Sequence, residues 1–236
     1  MWIKICANTN LEDAQMASEL GADAVGFVFA PSRRRVTAKD VAQITPHLPA
    51  AVERIGVFDS LYAEEIAAAV REAGLTTVQL HGSGEVVLAR RLNDLFEGKI
   101  GIIQTVHWAV DEGDQSAKAV RQRLSTIEAG GTIERILIDS KVGQATGGTG
   151  VSFDWAAARE VLQSGGDHLK MIVAGGLRPD NVAEAISGLN PWGVDVASGV
   201  EKGPGRKDPE KLREFIQNAR AAKSADGEAK RFEDQR

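Results

Sequence analysis

Two side chains capable of proton transfer stand where short apolar runs end. Cys6 closes Trp2-Ile3-Lys4-Ile5, and Asp139 closes Ile136-Leu137-Ile138. Lys4 and Cys6 are two residues apart, so on a strand both point to the same side. An ammonium nearby favours thiolate, the form that acts as base or nucleophile. The alternative for a lone cysteine is a small buried hydrophobe, and Cys6 taken by itself fits that better. Asp139 differs, because a carboxylate at the end of an apolar strand is costly to bury unpaired. Its structural alternatives are a helix cap or an ion pair with Lys141.

A second group of residues offers main-chain chemistry. Met171-Ile-Val-Ala-Gly-Gly-Leu177 and Gly193-Val-Asp-Val-Ala-Ser-Gly-Val-Glu201 each read as a short apolar strand ending in small residues. Glycine lets a backbone approach a ligand closely, and bare amides before a helix attract anions. Gly175, Gly176, Ser198 and Gly199 therefore suggest a shared phosphate cradle. In an eight-stranded α/β barrel, the loops after strands seven and eight are the usual place for one.

Six earlier strands are then required, and the chain supplies them. Strand-like Trp2–Cys6, Ala24–Val28, Arg54–Val57, Thr77–Leu80, Ile100–Thr105 and Arg135–Ile138 alternate with helix-like segments. Those segments are Leu11–Leu20, Ala38–Ile44, Ala63–Ala73, Glu85–Leu95 and Gln115–Ile127. Helix-like Trp155–Leu162 precedes strand seven, Arg178–Leu189 separates strands seven and eight, and Pro209–Ala222 closes the series. Asn10 is suited to cap the first helix and Gly21 to stop it. Eight β-then-α units favour a closed (β/α)8 barrel (TIM barrel), an α/β fold in one domain over residues 1–222. The mixed charges of 223–236 read as a frayed tail.

Barrel chemistry sits at the C-terminal strand ends, which adds Arg35, Gln79, His81 and Asp195 to the candidates. Arg33 and Arg34 read as solvated charges, whereas one arginine of the three is suited to clamp a carboxylate. Asp195 lies inside an apolar strand and needs a donor. Gly203, Gly205, Arg206 and Lys207 read equally as a cap on the phosphate end or a solvated turn. Phe153 and Trp155 read as outer-shell packing. The histidines, His47, His81, His107 and His168, show no ligand spacing, so no metal site is expected. Gly147-Gly148-Thr149-Gly150 lacks the Lys-Ser/Thr tail of a P-loop and reads as a substrate-covering loop within Lys141–Val151.

With 236 residues, 43% hydrophobic and 26% charged, the chain can bury a large core. A net charge of −5 and no long face of one sign argue against nucleic acid as a partner. One cysteine excludes an internal disulfide and fits a reducing cytosol. No apolar run approaches membrane-spanning length and no targeting signal is evident, so a cytoplasmic protein is expected.

Taken together, Lys4-Ile5-Cys6, Gly21 to Phe29, Val78-Gln79-Leu80-His81-Gly82, Ile138-Asp139-Ser140, Gly147 to Gly150, Phe153-Asp154-Trp155, Ala174 to Leu177 and Asp195 to Glu201 carry a resemblance. In that order they resemble phosphoribosylanthranilate isomerases, barrel enzymes of tryptophan biosynthesis, over nearly all of the chain up to Ala222. Each motif is modest, but the ordered set is specific.

The resemblance implies an Amadori rearrangement. N-(5-phosphoribosyl)anthranilate becomes 1-(2-carboxyphenylamino)-1-deoxyribulose 5-phosphate, with Asp139 as general acid on the ring oxygen and Cys6 as general base at C2. It implies Arg35 at the anthranilate carboxylate, Gly175, Gly176, Ser198 and Gly199 at the phosphate, and Lys4, Gln79, His81 and Asp195 lining the site. It implies no cofactor or metal, a monomer or homodimer, and a phosphorylated small molecule as the sole ligand class. Such roles require a protonated Asp139 and a Cys6 thiolate whose pKa is lowered by a positive neighbour. Ala7 departs from the glycine usual after the cysteine, and Asn8 from an apolar residue. The readings left beside this one are a non-catalytic barrel that binds a phosphometabolite, or another phosphosugar isomerase or synthase barrel.

Overall fold

In the computed structural model the described residues are 1–82, 85–109, 114–141, 159–162 and 168–233. Eight parallel strands close into a barrel in sequence order: β1 (Trp2–Ile5), β2 (Ala24–Val28), β3 (Glu53–Phe58), β4 (Thr77–Leu80), β5 (Gly101–Ala109), β6 (Arg135–Lys141), β7 (Lys170–Ala174) and β8 (Gly193–Val196). The seam between β8 and β1 pairs Trp2 with Gly193 and Lys4 with Asp195. The expected (β/α)8 barrel is thus the observed one.

Helices α1 (Leu11–Glu19), α2 (Ala38–Ala42), α3 (Ala63–Ala73), α4 (Glu85–Leu95), α5 (Asp114–Gly130), α6 (Val182–Leu189) and α7 (Pro209–Glu233) surround it, with a further helical turn at residues 159–162. Asn10 caps α1 by accepting from the Asp13 amide, and Gly21 leaves the helix at φ 98°. The described core has two parts. Ile3, Phe27, Val78, Leu92, Leu124 and Phe215 fill the layer between strands and helices, while Trp2, Ala24, Ile55, Ile103, Leu137, Ile172 and Ala174 fill the barrel interior. No helix among the described residues is long and apolar enough to cross a membrane.

Strand parity decides which side chains reach the interior. On β1 the inward column is Trp2, Lys4, Cys6, running from the floor of the barrel to its mouth. At the floor, Glu53 accepts hydrogen bonds from Trp2, Thr77 and Arg135, so a carboxylate inside the barrel is fully engaged.

Several boundaries differ from the sequence reading. β5 runs to Ala109 rather than Thr105, and Asp139 lies within β6 rather than at its end. The two strands extend one another, with His107 opposite Asp139 and Ala109 opposite Lys141. The last helix continues to Glu233, where a frayed tail beyond Ala222 was expected. Residues Lys223 to Glu233 contain alanine, lysine and glutamate, whose helix propensity lets the backbone continue. The expectations for Lys141–Val151, Phe153 and Trp155 fall outside the described residues and side chains.

Candidate active site

The C-terminal end of the barrel holds a cavity of about 540 Å³, within the range of small-molecule sites. Cys6 and Asp139 both line it, and so do Gln79, His81, Asp195, Gly175, Gly176, Ser198 and Gly199. The strands deliver these groups to one place from positions scattered over nearly 200 residues of chain.

Cys6 is held tightly. Its amide donates to the Val196 carbonyl at 2.8 Å, and the Lys207 ammonium donates to the Cys6 carbonyl at 2.5 Å and to that of Ala197 at 3.3 Å. The next residue, Ala7, adopts φ 62°, the left-handed region that suits glycine. Asn8, fully buried, donates to the carbonyls of Ile5 and Gly26. This polar side chain therefore ties the end of β1 to the middle of β2. Gly26 makes room for the thiol, because a Cβ there would lie 2.9 Å from Cys6 Sγ and 3.0 Å from Lys4 Cε.

Lys4 does not line the described cavity, contrary to its expected place among substrate contacts. It is 0% exposed and donates to Asp195 at 2.9 Å. Burial opposes its charge, but Asp195, with help from Cys6, more than offsets this and raises its pKa. The thiol departs from expectation too. Burial raises the Cys6 pKa and outweighs the lowering pull of Lys4, while Asp195 adds to the rise. The ammonium expected to generate thiolate is engaged by Asp195, so the ligand-free site holds Cys6 as a thiol.

On the opposite wall, Asp139 has a neighbour that sequence reading missed. His107 Nδ1 lies 3.5 Å from Asp139 Oδ2, and His107 Nε2 lies 3.3 Å from the His81 carbonyl. In the tautomer that carries its proton on Nε2, the ring donates to that carbonyl and presents Nδ1 to Asp139. The histidines that showed no spacing in sequence meet here in part: the His81 and His107 rings pack edge to face at 4.5 Å, while His47 and His168 remain apart and exposed. Gln79, 3% exposed, donates to Thr105 on the same side.

At the rim, Gly175 and Gly176 take φ 92° and 68°, conformations that strain an L side chain. Asn181 fastens this turn by donating to the Gly176 carbonyl and accepting from the Arg178 amide. Gly199 packs against it, since a Cβ there would fall 1.9 Å from the Leu177 carbonyl oxygen. The two turns are therefore one interlocked surface.

Arg35 is exposed, and Arg34 takes the described wall of the cavity in its place. Arg34 is not solvated as expected, because its guanidinium grips Glu201 through Nε and Nη2 at 2.6 to 3.0 Å. That hydrogen-bonded pairing raises the Arg34 pKa. The stretch after β8 is a hairpin, β9 (Glu201–Gly203) with β10 (Arg206–Lys207), rather than a solvated turn. Lys207 is buried within it, its pKa lowered by burial against the opposing pull of Glu201. A charged side chain so enclosed needs partners, and the strand-end carbonyls and Glu201 supply them.

A closed barrel with a thiol, a carboxylate and two glycine-rich turns around one cavity has the layout of a barrel enzyme. Residues 3–218 match the model of the N-(5'-phosphoribosyl)anthranilate (PRA) isomerase family. The chain is 40% identical over 219 residues to the N-(5'-phosphoribosyl)anthranilate isomerase of Thermotoga neapolitana, covering 92% of this chain and 98% of that one. The crystal structure of phosphoribosyl anthranilate isomerase from Thermotoga maritima superposes with a TM-score of 0.79 at 35% identity, covering 94% and 99% of the two chains. A structure of the isomerase in complex with reduced 1-(o-carboxyphenylamino)-1-deoxyribulose 5-phosphate gives 0.77 at 33% identity with the same coverage. The chain belongs to the N-(5'-phosphoribosyl)anthranilate isomerase family, enzymes of tryptophan biosynthesis.

Proposed function

We propose that this chain isomerises N-(5-phosphoribosyl)anthranilate to 1-(2-carboxyphenylamino)-1-deoxyribulose 5-phosphate, with Asp139 as general acid and Cys6 as general base. The observation that supports the assignment of roles is that both groups line one cavity, with the glycine turns at the same mouth. Asp139 protonates the furanose ring oxygen, the C1–O bond opens, and the anthranilate nitrogen becomes an iminium. Cys6 thiolate then takes the C2 proton, and the electron pair of that C–H bond flows into the iminium to give an enolamine. Tautomerisation yields the ketone. Only protons move, so a pair of positioned side chains suffices.

The phosphate sits at Gly175, Gly176, Ser198 and Gly199, where main-chain amides need no side-chain charge to hold it. Arg35 takes the anthranilate carboxylate. Its neighbour Arg34 is committed to Glu201 through Nε and Nη2, whereas Arg35 is exposed on the same loop. Gln79, His81 and Asp195 line the space between, and Lys4 serves by holding Asp195 rather than by touching substrate. Because Cys6 rests as a thiol, it must first release its proton to water at the cavity mouth before the thiolate takes the C2 proton; a bound iminium next to it favours that ionisation.

The reading is tested by supplying anthranilate and phosphoribosyl pyrophosphate with the preceding transferase and following the loss of anthranilate-type fluorescence. Turnover on addition of this protein is expected. Failure to consume the substrate, together with failure to complement a tryptophan auxotroph lacking the step, would defeat it.

A further inference from the structure

A ring nitrogen from each of His81 and His107 and a carboxylate oxygen of Asp139 lie within 4.8 Å of one another. The three side chains come from neighbouring strand ends, so the barrel frame brings them together. We propose that they form a binding site for a divalent transition ion of the zinc class, and that an ion bound there switches the isomerase off. The switching half rests on the reading of Asp139 given above.

Three features point to that ion. Two imidazoles and one carboxylate match the ligand type of open zinc sites, whereas calcium and magnesium prefer all-oxygen shells. The 3.5 Å between His107 Nδ1 and Asp139 Oδ2 is close to the edge of a tetrahedron, about 3.3 Å for bonds of 2.0 to 2.1 Å. The His81 carbonyl opposite His107 Nε2 holds the tautomer that presents a lone pair from Nδ1, the outer-shell support that metal-bound histidines typically have. His107 is 38% exposed at its side chain, so an ion in solution can reach the ring.

A coordinated carboxylate cannot carry the proton that ring opening requires. The ion is thus an inhibitor rather than a cofactor, and its fourth position opens on the cavity where substrate would sit. Cys6, on the same cavity, is the rival soft ligand, and the experiment must separate the two.

Chelator-treated full-length protein is titrated with zinc by calorimetry and with cobalt(II) by absorption. One equivalent is expected to bind. Affinity should fall tenfold or more in both His107→Ala and His107→Gln, with circular dichroism confirming their fold, and should be retained in Cys6→Ser. The cobalt spectrum should show ligand-field bands without a thiolate charge-transfer band. Isomerase activity should fall as zinc is added and return with chelator. No binding, binding indifferent to His107, or binding lost in Cys6→Ser overturns the site. Zinc bound through His107 with turnover unaffected overturns the switch, and if Asp139→Asn also keeps full turnover, the acid assignment fails while the site stands.

Discussion

Lys4 and Asp195 are partners twice over, as register neighbours where β1 meets β8 and as an ion pair of 2.9 Å. The contact closes the barrel seam and also decides the state of the nearby thiol. Burial raises the Cys6 pKa by more than the Lys4 ammonium lowers it, and Asp195 opposes Lys4 as well. Replacing Lys4 by methionine leaves Asp195 buried and unpaired, for which a loss of about 3 to 5 kcal/mol is expected. Denaturant titration of Lys4→Met checks the stability, and slower alkylation of Cys6 at a fixed pH checks the electrostatic half.

The direction of the Cys6 shift sets a pH dependence. The reactive form is the thiolate and its pKa is raised above the ordinary 9.0, so at neutral pH only the tail of the titration is populated. Alkylation of Cys6 in ligand-free protein should rise about tenfold per pH unit through the neutral range, with its midpoint above the ordinary value. Iodoacetamide labelling followed by mass spectrometry measures this. A plateau reached near neutrality would mean that Lys4, not burial, dominates.

Ala7 carries the strain of a left-handed backbone immediately after the thiol. The left-handed conformation costs an L residue about 1 to 2 kcal/mol, part of which glycine returns through its freer unfolded chain. Ala7→Gly should therefore stabilise the protein by about 0.5 to 1 kcal/mol. A higher midpoint in denaturant is expected, and an unchanged or lower one would count against the strain.

Gly26 is the converse case, where the constraint is space rather than angle. A Cβ there meets not only Cys6 Sγ but the Cys6 Cα at 3.2 Å, and backbone cannot swing aside as a side chain can. Gly26→Ala should displace the thiol, costing about 1 to 3 kcal/mol of stability. A displacement of about 1 Å at a reacting group can cost on the order of a hundredfold in rate. Turnover measured beside thermal unfolding separates the two effects.

Much of this was legible in the residues. The spacing of Lys4 and Cys6 puts both on one side of a strand, and the small residues after β7 and β8 mark turns set by positive φ at Gly176 and by close packing at Gly199. His107 was hidden because the apolar run Ile100–Thr105 resembles a complete strand, and the four residues that extend it do so by pairing with β6. Lys207 was hidden by distance. Nothing in a Gly-rich turn announces that it folds back on a carbonyl 201 residues away. Arg33, Arg34 and Arg35 look alike as a run, and only the position of Glu201 distinguishes them. The rise in the Cys6 pKa is not legible in sequence, because the charge of Lys4 is visible there while the burial that outweighs it, and the Asp195 carboxylate that adds to it, exist only in the fold.

The most direct test compares turnover of phosphoribosylanthranilate by the parent chain, Cys6→Ser and Asp139→Asn under saturating substrate. If the two groups are base and acid, each substitution should lower kcat by about a hundredfold or more while leaving the fold intact. Either variant turning over as fast as its parent would contradict the assignment of that residue, and both doing so would contradict the proton-transfer pair altogether.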